Sequence, residues 1–221
     1  SDPHGEFTGL NILIERGDPA GATTLQASRE KLLRERAKRP RPHLDDKVLT
    51  AWNGLMISAL ARAGAALSEP RFLEAAVRAA RFLQTHLTRD GRLLRTWRGE
   101  PGTIGGFAED YAYLIQGLLD LYEATLEDAW LQWAINLQAT QDELFWDADA
   151  GGGYFSSAAG DPLVPVRIKE DYDGAEPSAN SVSAGNLLRL ARMLNDGQRE
   201  TRAREILAAH GDQMTRIPTA V

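Results

Sequence analysis

Acidic residues recur in this chain where apolar helical periodicity begins, each pair beside aromatic or glycine-rich sequence. They are Asp45 and Asp46 ahead of 48–67, Glu109 and Asp110 in GGFAEDYAYL, and Asp171 and Asp173 in KEDYDGAEPSANS. Glycosidic chemistry uses such carboxyl groups in twos, about 5 to 9 Å apart across a sugar, one protonating the leaving oxygen while the other attacks or activates water. Asp46, Asp110, Asp171 and Asp173 are the catalytic candidates on that reading, and no spacing singles out one pair. A carboxylate in a helix's first turn also satisfies free N–H groups and is favoured by the dipole. Each position therefore carries a capping alternative, and Asp45 or Asp46 is expected to cap the helix that follows.

Around these acids stand residues suited to holding a polyhydroxylated ligand. In PHLDDKVLTAWNGLM they are His43, Asp45, Trp52 and Asn53. Trp52 is read as core or as a stacking platform. Asn53, an amide beside an apolar stripe, must bond either a ligand or a neighbouring loop. Glu109 and Tyr111 form the second group. The dipole favours ionised Glu109 and Asp110, which suits binding hydroxyls better than donating a proton. Tyr172 and Glu176 form the third, in a loop where Ser178 or Asn180 can cap the next helix. Sugar epimerisation would need a base near neutral pH, typically histidine. His4, His43, His86 and His210 are the whole supply, and His43 alone adjoins a candidate pocket. Neither HExxH nor a phosphate-binding glycine loop occurs. No metal and no cofactor is called for.

The elements that must position these groups are helical. Spacing predicts helices over 24–38, stopped by Pro40 and Pro42, then 48–67, 71–87, a fourth following Gly106, 127–143, 178–194 and 198–210, with another starting after Gly211. In the second, Leu49, Trp52, Leu55, Met56, Ala59, Leu60, Ala63 and Leu67 form the stripe expected to be buried. Short extended arms are expected at 10–14, 93–97, 154–156 and 162–169. Connections alternate between short and long, the long ones aromatic and glycine-rich. That alternation suits a ring or stack of helical hairpins better than a four-helix bundle. The fold class is all-α, with an extended segment at 1–23 leading into a partial hairpin array over 24–221. Flanking sequence or another copy of the chain is expected to cover the ends of the array.

Composition narrows the classes. The 221 residues carry 25 Lys and Arg against 31 Asp and Glu, a net charge of -6, which disfavours nucleic-acid and anionic-membrane surfaces. The basic stretch REKLLRERAKRPRP interleaves Glu30 and Glu35 at helical spacing and reads as a solvated helix face. There is no cysteine, so disulfides, thiolate nucleophiles and cysteine-held zinc are excluded. No apolar run of about 18 residues or leader pattern is present, which points to a cytoplasmic location.

Long blocks resemble a known family: DDKVLTAWNGLMISALARAG, GGFAEDYAYLIQGLLDLYEAT, GGGYFSS and KEDYDGAEPSANSVSAGNLLRL, together with GEFTGLNILIERGD near the start. They are similar to the helical portion of the DUF255 family, which includes spermatogenesis-associated and YyaL-like proteins. The resemblance implies an α/α-toroid like that of N-acylglucosamine 2-epimerases and six-hairpin glycosidases. It also implies partners absent here: a thioredoxin-like domain and flanking toroid helices. The epimerases' paired histidines have no evident counterpart. The expected function is carbohydrate handling, isomerase-like or glycosidase-like, on a small carbohydrate ligand. A noncatalytic binding or interaction module, or a scaffold, is the alternative.

Overall fold

The computed structural model describes residues 22–149, 151–161, 164–170, 172–211 and 215. The expected arm at 10–14, Asp171, and the start of a helix beyond Gly211 lie wholly or partly outside them. The chain divides into two compact units, Ser1–Asp45 and Asp46–Val221. In the first, α1 (Ala22–Ala37) ends ahead of Pro40 and Pro42, with Lys38 paired to Glu35 at 2.7 Å. Its described side chains are exposed.

The second unit is three helical hairpins: α2 (Thr50–Leu67) with α3 (Pro70–His86), α4 (Ala108–Thr125) with α5 (Asp128–Phe145), and α6 (Ala179–Leu194) with α7 (Gly197–Ala209). α4 packs against α2 on one side and α6 on the other, and each of α3, α5 and α7 packs on its own partner. Because each hairpin returns, α2, α4 and α6 run in the same direction and bring their N-termini to one end. The centre of the core is α4, where Tyr111, Leu114, Ile115, Leu118 and Leu119 are fully or almost fully buried. Trp130, Trp133, Ala134 and Leu137 close it from α5.

The buried face of α2 is not the one the large apolar residues predict. Thr50, Ala51, Gly54, Ile57, Ser58, Ala61 and Gly64 are buried. Trp52, Met56, Ala59 and Leu67 are exposed, while Leu49, Leu55, Leu60 and Ala63 are half-buried. The reason is close approach. A Cβ on Gly54 would lie 2.6 Å from Leu114 N, and one on Gly117 would lie 2.6 Å from Gly54 O. Two backbones this close gain more contact from glycine and alanine than from a leucine stripe.

The long loops hold small sheets. β1 (Val48–Leu49) pairs antiparallel with β4 (Thr96–Arg98), which pairs with β5 (Glu100–Pro101). β2 (Thr88–Arg89) and β3 (Arg92–Leu93) form a separate ribbon. The arm expected at 93–97 is thus divided between two sheets. That expected at 154–156 contributes one bridge, Trp146 to Tyr154, and residues 164–169 form no strand. Glycines 151, 152 and 153 all have φ near +85°, a run that only glycine adopts readily. Asn180 pins this turn: its Oδ1 accepts from Tyr154 N at 2.7 Å, and its Nδ2 donates to Tyr154 O and Glu170 O. Asn180 therefore ties down a loop, and Ser178 is the cap of α6, accepting from Ser181 N.

Candidate functional site

The shared N-terminal end of α2, α4 and α6 is organised by Asp110, which is fully buried. Its Oδ1 accepts from Ala51 N at 2.9 Å, and its Oδ2 accepts from Phe107 N at 2.8 Å and Arg95 Nη1 at 3.2 Å. One carboxylate from α4 thus satisfies the first turn of α2 as well as its own helix. This corrects the capping expected of Asp45 or Asp46. The N-cap of α2 is Leu49, which makes no side-chain cap bond, and Asp46 pairs with Arg98 at 2.6 Å on an exposed edge. The first-turn location was also expected to favour ionised Asp110. Burial instead pushes its pKa up to about 6, outweighing the bonds from Phe107 and Ala51 and the charge of Arg95.

Beside this clamp lies an acidic mouth. Glu109, half-exposed, pairs with Arg95 at 2.8 Å, and the Arg95 guanidinium lies over the Phe107 ring. Trp52 is 58% exposed and its Nε1 donates to Glu176 Oε1 at 3.0 Å, joining α2 to the loop before α6. This overturns the reading of Trp52 as core. Tyr113 is almost wholly buried, and its hydroxyl donates to Pro177 O, joining α4 to the same loop. Burial raises the Tyr113 pKa, and the charges of Glu109, Glu176, Glu170 and Asp173 raise it further. Next to Glu176 is a hollow of about 480 Å³ lined by Lys169, Glu170, Tyr172, Gly174, Ala175 and Glu176. Lys169 is held in place by Asp147 at 2.6 Å and by Gly152 O.

The remaining candidates fall elsewhere or serve the scaffold. Asn53 donates to Leu49 O, four residues back at the N-cap of its own helix, and so binds neither a ligand nor another loop through that bond. Tyr111 is in the core, its hydroxyl accepting from Leu93 N at 2.9 Å. Asp173 Oδ1 accepts from Ser178 N at 2.7 Å and steadies the start of α6. Tyr172 is exposed at the rim. His43 and Asp45 belong to the first unit. His86 packs at a tilt against Phe82 and Trp97. Sequence reasoning passed over Arg95 and Tyr113. For Tyr113 a signal existed: Glu109, Tyr113, Gln116 and Asp120 recur at helical spacing as a polar stripe along α4.

No family model matches the chain. Spermatogenesis-associated protein 20 of Homo sapiens is 45% identical over 242 aligned positions, covering 100% of this chain and 31% of the human protein. The chain belongs to the spermatogenesis-associated protein 20 family. The mouse protein matches at the same 45%, and an uncharacterised Caenorhabditis elegans protein at 37%. The chain spans about a third of the length of these family relatives. Among solved structures, cellobiose 2-epimerase from Spirochaeta thermophila aligns with a TM-score of 0.61 at 15% identity, over 87% of this chain and 55% of that one. A family 76 α-mannanase from Bacteroides thetaiotaomicron aligns with a TM-score of 0.60 at 16% identity, over 78% and 47%. At such identities the likeness is one of fold: the family's helical hairpins here are those of an α/α toroid. No helix among the described residues is long and apolar enough to cross a membrane.

Proposed function

We propose that the end of the hairpin array carrying Trp52, Glu109 and Glu176 is a saccharide-binding mouth. The observation that carries this reading is the exposed Trp52 face set beside a carboxylate through its own indole N–H. An aromatic face packs against the C–H side of a sugar ring, and adjacent carboxylates accept from its hydroxyls. Glu109 and Glu176 supply those acceptors. Tyr113 and Asp110 act one layer deeper, Tyr113 holding the loop at Pro177 and Asp110 holding the ends of α2 and α4 together.

The fold relatives include an enzyme that epimerises cellobiose and one that acts on mannan. Of these chemistries, the mouth favours one run by carboxylates, because Glu109 and Glu176, with Glu170 in the adjoining hollow, are the titratable groups it offers in place of imidazoles. Glu109 and Glu176 are the pair that would share the work, and hydrolysis of a glycoside is the reaction class. Isothermal titration calorimetry with glucose, mannose, cellobiose and mannobiose tests binding. Saccharide heats lost in Trp52→Ala and reduced in Glu176→Gln are expected. Absence of binding by all four sugars, or binding indifferent to both substitutions, defeats the reading. Reducing-sugar release from cellobiose or mannobiose, abolished in Glu109→Gln, separates catalysis from binding alone.

A further inference from the structure

The polar stripe of α4 does not stop at the mouth. Gln116 follows Tyr113 by one turn, about 10 Å along the helix from Glu109 at a rise of about 1.5 Å per residue. There α4 and α6 part to leave a groove of about 290 Å³, lined by Gln116, Ser181, Val182, Gly185, Asn186 and Arg189. Gln116 Oε1 is buried and has no hydrogen-bond partner among the described residues. Asn186 is 1% exposed, and its Nδ2 donates to Ala112 O at 2.8 Å, which fixes the amide at the groove wall. A Cβ at Gly185 would meet nothing within 4 Å, so the groove is open at that point.

We propose that this groove is a second subsite, for the next sugar unit of the ligand held at the mouth. The proposal rests on the saccharide reading of the mouth and makes the ligand an oligosaccharide. The groove's chemistry selects the class of occupant. A buried amide oxygen in need of a donor, Gln116 Oε1, calls for a hydroxyl or N–H group. A phosphate or carboxylate would set its own oxygens against it. The one cation present offers no counter-charge, because Arg189 is already engaged by Asp120 at 2.8 Å and Glu123 at 2.9 Å. An apolar occupant would leave that acceptor empty. A neutral polyol satisfies it, and the shared α4 stripe sets groove and mouth along one helix.

The test compares affinities for a monosaccharide and its disaccharide, glucose with cellobiose and mannose with mannobiose, by calorimetry on the intact protein. One disaccharide is expected to bind at least about tenfold tighter than its monosaccharide, each tenfold being about 1.4 kcal/mol. Gln116→Leu removes the free acceptor, and Gly185→Leu fills the groove from α6. Each is expected to bring the affinity ratio toward one. Gln116→Leu keeps the test decisive should Gly185→Leu fold poorly. Equal affinities in the unsubstituted protein, or a disaccharide preference that survives both changes, overturns the subsite and leaves the mouth standing. Failure of every sugar to bind overturns both.

Discussion

The carboxylate of Asp110 accepts the N–H of Ala51 at 2.9 Å across a separation of 59 residues, joining the first turn of α2 to the first turn of α4. The mouth depends on this bond, since Trp52 follows Ala51 directly and Glu109 precedes Asp110. Asp110→Asn should loosen it. An amide presents an N–H₂ group to either Ala51 N–H or Phe107 N–H, leaving a buried donor without an acceptor. The expected loss is about 1–3 kcal/mol at pH 7, read by urea denaturation.

Stability should also carry the signature of this group's titration. Asp110 is raised from 3.8 to about 6, so the folded protein binds its proton more tightly than the unfolded chain does. The stabilisation is complete below about pH 3.8 and is lost as pH rises through about 6, a change of about 3 kcal/mol. The stability difference between the unsubstituted protein and Asp110→Asn should therefore narrow between pH 4 and pH 7. A difference that widens over that range would show that the N–H bonds dominate over burial.

Gly54 and Gly117 set how closely α2 and α4 approach. Gly54→Ala places a methyl group 2.6 Å from backbone atoms of Tyr113 and Leu114, which cannot swing aside as a side chain would. A cost of about 2–3 kcal/mol is expected, at the upper part of the range for overpacking. Thermal unfolding followed by circular dichroism measures it.

The tryptophans separate into two kinds. Trp130 is 4% exposed, and Trp130→Ala should cost about 3–5 kcal/mol. Trp52→Ala, on a 58% exposed residue, should change stability by less than about 1 kcal/mol. Chemical denaturation of both variants tests the contrast. A large loss at Trp52 would make it a structural residue.

At the other end of α4, Leu126 adopts the left-handed conformation, with φ 58° and ψ 23°, and its side chain is 75% exposed. Leucine contributes little there and strains the backbone, whereas glycine adopts this cap readily. Leu126→Gly is expected to raise stability by about 0.5–1 kcal/mol, visible as a higher melting temperature.

Much of this protein is legible in one dimension. Helix positions follow from apolar periodicity and from Pro40, Pro70 and the glycine-rich loops, and the observed limits fall within a few residues of those expected. The acids at helix starts, the Gly151–Gly153 turn and the alternation of long and short connections are local chemistry, decided by residues near one another in sequence. A ring or stack of helical hairpins was legible for that reason, while the α/α toroid was implied by the family resemblance.

Which side of α2 faces inward was not. A period of 3.6 marks a stripe but does not rank a stripe of large residues against one of small ones. The ranking depends on Gly117, a long-range partner that lets Gly54 meet the α4 backbone and leaves Trp52 at the surface. In the same way, a carboxylate in a first turn announces a free N–H to be satisfied but not which helix supplies it. Asp110 serves α2, Asp46 serves Arg98, and Tyr113 meets Pro177, because packing brings distant segments within hydrogen-bond reach. Bonds and burial between far-apart residues exist only once the helices have been packed, so the tertiary structure alone decided which acids line the mouth and which hold it together.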